Sequence, residues 1–271
     1  MRHEANAMAF RFIQITDHHI MASEAMLSRG FSPAHALRAT LRHIASHHGD
    51  VDFVVSTGDL VDRGIEAEYA TFRAMLALEA TSAAPGPQRA HGEGLAGMPF
   101  YFLPGNHDPR PAFFAAMFPP EAGQTAMNTH FDHKGVRFAT VDWGPANKAV
   151  STPAMLARLG ESLAVRMPSV VLSHHNVGPV GMARLDRLAA DDTMGFAEVL
   201  RRGRVMGVLH GHTHLTVESE LAGVPVLGLR STHFSFAQAG EEWVYALRPP
   251  NYRVVTVAGG DLRTEVVEVA L

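Results

Sequence analysis

Five short apolar runs in this chain each end in a cluster of Asp, His, Asn or Gly, and that recurrence restricts the possible folds more than any other feature. Phe10 to Thr16 leads into Asp17-His18-His19, and Val51 to Thr57 leads into Gly58-Asp59. Phe100 to Leu103 leads through Pro104 into Gly105-Asn106-His107-Asp108. Val170 to Ser173 leads into His174-His175, and Val205 to Leu209 into His210-Gly211-His212-Thr213-His214. Apolar runs this short, bounded by turn residues, read as buried strands. Between them Pro33 to His48 carries Leu37, Leu41 and Ile44 at helical spacing, with Ser32 as N-cap and Gly49 as a stop, and Glu66 to Ala80 reads as a second helix. Strands alternating with helices imply βαβ units and an α/β fold. In an open α/β sheet the carboxyl ends of the strands share one edge, where ligands bind. The five clusters would therefore meet in one cleft.

The residues concentrated there are oxygen and imidazole donors, suited to Mn, Fe, Zn or similar ions and unlike the all-oxygen sets that hold Ca. Asp17 and His19 lie two apart, as do His212 and His214. In extended backbone each pair faces the same way and can chelate one ion. Gly58, Gly105 and Gly211 permit tight turns and close backbone approach to a ligand. Taken singly, each cluster has a plainer reading as a solvated turn. Five in order, each after an apolar strand, point to a metal site.

Composition narrows the classes of function. A formal net charge of -4 argues against a surface that coats nucleic acid. Cysteine is absent, which removes disulfides and thiolate ligands. Met1 to Ala9 lacks the apolar centre of a secretory signal, and no apolar run is long enough to span a bilayer. A cytoplasmic protein with a flexible N-terminus over residues 1–9 and one domain over 10–271 is expected. Of the 17 histidines, His3, His35, His43, His47, His48, His91 and His130 show no ligand pattern. Ala80 to Met98, rich in Gly, Ala and Pro, reads as a surface loop. From about 215 to 271 the pattern changes to short β segments separated by turns, which suggests a second, more antiparallel sheet packed on the first.

The ordered set Asp-x-His, Gly-Asp, Gly-Asn-His-Asp, His-His and Gly-His-x-His resembles the signature of calcineurin-like metallophosphoesterases over roughly Phe10 to His214. Leu229-Arg230-Ser231-Thr232 with Phe234 and Phe236, then Pro250-Asn251-Tyr252-Arg253, resembles the end of the class III cyclic nucleotide phosphodiesterase group, which also includes glycerophosphodiesterases. The resemblance implies a four-layer α/β/β/α sandwich with two mixed β-sheets and two divalent ions (Mn, Fe, Zn or Co) at the sheet edge. By position, Asp17, His19 and His214 would bind one ion and Asn106, His174 and His212 the other, with Asp59 bridging. Asn176 stands where the family usually has proline after its paired histidines.

The implied activity is hydrolysis of a small phosphodiester, of cyclic nucleotide or glycerophosphodiester type, by a water activated between the ions. His107 would stabilise the transition state or protonate the leaving alkoxide. Asp108 has two readings, orienting His107 or a metal ligand, or stabilising a turn. Asn106, His107 and His18 are the substrate-binding candidates, His18 facing away from the metals toward solvent or substrate. The loop from Asn176 to Asp192, with Arg184 and Arg187, would border the cleft. Phe234 and Phe236 read as core or a dimer interface, which makes a homodimer plausible. The alternatives are a phosphomonoesterase or nucleotide pyrophosphatase on the same site, and a scaffold that binds metal without catalysis.

Overall fold

Buried residues on both faces of a strand require layers on both sides, and β1 (Phe10–Ile15) is buried at every position but Arg11. A computed structural model describes residues 9–78, 86–119, 123–239 and 242–271. Residues 1–8 of the expected N-terminal segment and residues 80–85 of the expected surface loop lie outside the described residues.

Along the chain β1 is followed by β2 (Phe53–Ser56), β3 (Gln88–Ala90), β4 (Met98–Phe102), β5 (His130–His133), β6 (Val136–Val141) and β7 (Pro168–Ser173). Then come β8 (Arg204–His210), β9 (Val217–Leu221), β10 (Val224–Gly228), β11 (Ser235–Ala239), β12 (Glu242–Ala246), β13 (Asn251–Ala258) and β14 (Asp261–Glu268). One six-stranded sheet has the order β14-β13-β1-β2-β4-β3 and the other β5-β6-β7-β8-β10-β9. Each is mixed: β1, β2 and β4 run parallel, as do β6, β7, β8 and β10, with antiparallel strands at the edges.

Period-two alternation in the second sheet builds the layers. Phe138, Val170, Leu172, Leu209 and Leu227 turn inward onto the first sheet, while Ala139, Val141, Val171, Val208 and Val226 turn outward. The outward set packs under α4 (Pro153–Leu163) and α5 (Thr193–Arg202). The first sheet is covered by α1 (Pro33–His47), α2 (Glu66–Leu76) and α3 (Arg110–Met117), which completes the four-layer α/β/β/α sandwich. Ser32 caps α1 as expected, accepting from the His35 N–H at 3.1 Å. Thr152 and Asp192 cap α4 and α5 in the same way. Near the amino ends of the strands Phe12, Phe53 and Phe138 join the sheets, Phe53 stacking on Phe12 at 5.0 Å and meeting Phe138 edge-on at 5.3 Å. Each such buried ring contributes about 1.5–3 kcal/mol.

Two expectations need correction. The late β segments do not gather into one second sheet: β9 and β10 extend the second six-stranded sheet, β13 and β14 the first, and only β11 and β12 pair apart, as a two-stranded hairpin. Edge strands recruit whichever unpaired neighbour lies beside them, and that choice is not local in sequence. The described part of the Ala80–Met98 segment is also more ordered than a surface loop. It holds β3 on the edge of the first sheet, with Ala90 and Leu95 buried in the core. No helix among the described residues is long and apolar enough to cross a membrane.

Candidate metal centre

The five polar clusters follow the carboxyl ends of β1, β2, β4, β7 and β8. Because these strands run parallel within their sheets and the sheets are stacked, their ends reach a common edge. Asp17, His19, Asp59 and His214 present one donor atom each, all within 4.8 Å of one another, and all four are buried. His214 Nε2 lies 3.2 Å from Asp17 Oδ1 and 3.2 Å from His19 Nε2. A second set adjoins the first. Asn106 Oδ1 lies 2.9 Å from His174 Nε2 and 2.8 Å from His212 Nδ1. Asp59 stands between them, with Oδ2 3.7 Å from His19 Nε2 and Oδ1 3.4 Å from His174 Nε2.

The backbone does this by a different route from the expected extended chain. Asp17, His19, Asp59, His212 and His214 all have positive φ, between 49° and 65°. Non-glycine residues reach that region at a cost, and here Asp17 and His19 turn their side chains into one donor set. His212 and His214 turn theirs into two different sets and so do not share one ion as their spacing suggested. The glycines also serve a different purpose. A Cβ on Gly105 would lie 2.1 Å from Asp59 Oδ1, and one on Gly211 2.0 Å from Thr16 Oγ1. They allow one loop to approach another, not a ligand.

The donor chemistry fits divalent cations. His174 Nδ1 lies 2.8 Å from the Thr57 carbonyl and His214 Nδ1 2.8 Å from the Phe234 carbonyl. A carbonyl can only accept, so each Nδ1 carries a proton and, in the neutral ring, each Nε2 keeps a lone pair. Those lone pairs face the Asp59, Asn106 and Asp17 oxygens, which are acceptors as well. Acceptor set against acceptor at such distances repels unless a positive charge lies between. Burial favours the neutral form of His174, yet Asp59 overrides it and pushes the ring up to about 9, so this gap draws in a positive charge, either a proton on Nε2 or a metal ion. Burial likewise opposes charge on Asp59, and His174 holds it well below the usual carboxylate range. Asp17, despite burial, is held low by His214. Burial keeps His19 and His212 well below the usual imidazole range, hence neutral, the form that ligates metal. The carboxylates and imidazole lone pairs thus favour a cation at their centre, one that would displace the proton from His174.

The remaining sequence candidates divide. His107 lines the cleft, its Nδ1 2.5 Å from the Asp62 carbonyl and its backbone N–H donating to Asp59 Oδ1 at 2.8 Å. Burial lowers its pKa, but Asp59 and the Asp62 carbonyl together raise it above the usual imidazole value. The Asp108 carboxylate does not hydrogen-bond the His107 ring. Its carboxylate accepts from Gly105 N at 2.9 Å, Leu60 N at 3.1 Å and the Tyr69 hydroxyl at 2.9 Å. Asp108 thus serves the turn, and its placement as a catalytic residue is corrected. His18 is fully buried, stacked on Phe72, with Nδ1 2.9 Å from Thr232 Oγ1 and Nε2 2.8 Å from Ser56 Oγ. Neither nitrogen is left for a substrate, which corrects that expectation too. His175 turns away from the donor cluster, its Nε2 2.7 Å from the Ala146 carbonyl.

A cleft of about 210 Å³ opens over the donors, lined also by Asp62, Asn147, Arg184, Arg29, Phe234, Phe236 and Tyr245. Phe234 and Phe236 therefore face the cleft and are not merely core or interface residues. Arg184 borders it as the loop position suggested; Arg187 does not line it. Asp62 had one sequence signal, a second Asp three residues beyond Asp59 in the same loop. Arg29 and Tyr245 had none, because only the fold brings them there.

Comparison with known proteins gives the family. A 3',5'-cyclic AMP phosphodiesterase CpdA of Vibrio vulnificus is 23% identical over 97% of this chain and 91% of its own. The CpdA of Escherichia coli K12 is 27% identical over 96% of this chain and 90% of its own. A 3',5'-cyclic-nucleotide phosphodiesterase of Nostoc is 24% identical over 94% and 91%. The crystal structure of a dimetal phosphatase from Danio rerio shares the fold, with TM-score 0.59, 15% identity, and 96% of this chain and 99% of that one covered. The model of the calcineurin-like phosphoesterase family matches residues 10–215. The chain thus belongs to the calcineurin-like phosphoesterase family and is a hydrolase of phosphate esters.

Proposed function

We propose that this protein hydrolyses phosphodiesters, cyclic nucleotides foremost, at a site for two divalent ions. The observation that carries this reading is Asp59, whose two oxygens face two different donor sets, His19 on one side and His174 on the other. Asp17, His19, His214 and Asp59 would hold one ion. Asn106, His174, His212 and the second oxygen of Asp59 would hold the other. Ions bound there would supply Lewis acidity, lowering the pKa of a water and neutralising charge that develops on the phosphoryl oxygens.

The chain's own groups do the rest. Asp59 fixes the His107 backbone by accepting its N–H. Nδ1 of His107 is engaged by the Asp62 carbonyl, which leaves Nε2 to give a proton to the departing alkoxide. The raised pKa of His107 suits that role. Asn106 donates Nδ2 to Asn147 Oδ1 at 3.1 Å, which turns its own Oδ1 toward the histidines. The preference for diesters rests on the relatives named above, similar over nine-tenths of both chains.

The test is a substrate panel on metal-loaded protein: 3',5'-cyclic AMP, glycerophosphoethanolamine, bis(p-nitrophenyl) phosphate and p-nitrophenyl phosphate, each with Mn, Fe, Zn and Co. Hydrolysis of cyclic AMP and the bis ester faster than the monoester is expected. Turnover of the monoester alone would replace the diester reading with a phosphomonoesterase, and no turnover with any ion would favour a non-catalytic scaffold.

A further inference from the structure

The donors and His107 account for one part of the cleft; another part is aromatic and plays no role in the hydrolysis outlined above. The rings run outward from a metal-ligand candidate without a break. The ring centroid of His214 lies 4.3 Å from that of Phe234 and 5.0 Å from that of Phe236, and Tyr245 lies 5.1 Å from Phe234 and 5.6 Å from Phe236. Phe236 and Tyr245 are direct partners across the β11–β12 hairpin. Arg29, from the loop after β1, closes over Tyr245 and Phe234, with its guanidinium carbon 3.5 Å from the Tyr245 centroid and 4.8 Å from that of Phe234. All four residues line the cleft, and Tyr245 keeps 43% of its surface exposed.

We propose that Phe234, Phe236 and Tyr245, held in place by Arg29, form a stacking subsite for a nucleobase and so select nucleotides over aliphatic diesters; this rests on the phosphodiesterase reading above. A phosphate gripped at Asp59 and the flanking donors places its ester substituent beside the adjoining wall. A flat base offers that wall a π-face, whereas a glycerol substituent has none. Arg29 acts through Tyr245, as a cation over a ring face, and is a positioning residue.

Calorimetry of Mn-loaded protein with AMP and with ribose 5-phosphate isolates the base, because the two ligands share the phosphate and sugar. AMP is expected to bind at least ~10-fold tighter to the wild type, as stacking on an aromatic side chain allows. Tyr245→Ala should bring the AMP to ribose 5-phosphate affinity ratio toward unity. Phe236→Leu, which keeps the space filled but removes the ring, should do likewise. Arg29→Met should reduce the ratio and Arg29→Lys restore most of it. Melting curves identify any variant that fails to fold, and Phe236→Leu guards against that failure. Equal binding of the two ligands to the wild type, or an undiminished ratio in both Tyr245→Ala and Phe236→Leu, overturns the subsite. The two proposals fail separately. Cyclic AMP hydrolysis with equal binding of the two ligands sinks the subsite alone. A base-dependent ratio in a protein inert toward cyclic nucleotides sinks the substrate assignment alone.

Discussion

Arg110 donates Nε to the Asp142 carboxylate at 2.9 Å, and the two are only 3% and 8% exposed. The same guanidinium donates from Nη1 to the carbonyls of Gly105 and Asp108, the latter at 2.7 Å. The ion pair therefore supports the turn that presents Asn106 and His107, though neither charged residue reaches the cleft. Breaking a buried pair by removing one partner costs about 3–5 kcal/mol. Arg110→Met should lower stability by that order in urea titration, with a parallel loss of activity. A loss below about 1 kcal/mol would show that the turn holds without it.

Divalent ions should stabilise the fold. Ligands that bind only the native state add about 2.7 kcal/mol at a free concentration 100-fold above Kd. Chelation should lower the melting temperature and reloading with Mn or Zn restore it, whereas Asp59→Ala should abolish that response. A melting temperature indifferent to chelator and ion would contradict the metal assignment.

His107→Ala should reduce turnover by roughly 100-fold or more while metal content, measured by elemental analysis, stays at the wild-type level. Unchanged turnover removes His107 from the chemistry. Lost metal would instead assign it to the ligand set.

Gly105→Ala should be severe, because the new Cβ would sit 2.4 Å from the Asp59 backbone nitrogen as well as against its carboxylate. Overpacking of this kind costs about 1–3 kcal/mol, and the displaced Asp59 should weaken metal binding further. Gly178→Ala, with nothing within 4 Å of the added carbon, is the matched control. Equal behaviour of the two would show that the loops can part without penalty.

His18→Phe keeps an aromatic ring on Phe72 but strands the hydroxyls of Ser56 and Thr232. An unsatisfied buried polar group costs about 1–3 kcal/mol, so the melting temperature should fall while KM moves little. A large rise in KM at unchanged stability would return His18 to the substrate site.

Much of the site was legible because strand ends are local. Phe10 to Thr16 or Val51 to Thr57 announce a buried strand by composition, and Asp17 and Asp59 follow as polar residues that such a strand would otherwise exclude. The ring orientations were not legible. Nothing near His174 in the chain says that the Thr57 carbonyl, 117 positions away, will accept a hydrogen bond from its Nδ1 and aim Nε2 at Asp59. The left-handed conformations of Asp17 and His212 were hidden for a related reason, since local preference disfavours them and only surrounding contacts enforce them. His212 N, for instance, donates to Asp17 across 195 positions at 3.0 Å.

The sequence alone therefore determined that five polar clusters would follow buried strands and meet at one rim, because apolar periodicity records burial and parallel strand ends collect there; the candidate ligands within the clusters came from the family resemblance. Tertiary structure decided which donor faces which, that Asp108 and His18 serve the scaffold, and that Phe234, Phe236, Tyr245 and Arg29 reach the cleft. Those outcomes depend on pairings between distant segments, which hydrogen-bond geometry and packing settle only once the sheets have stacked.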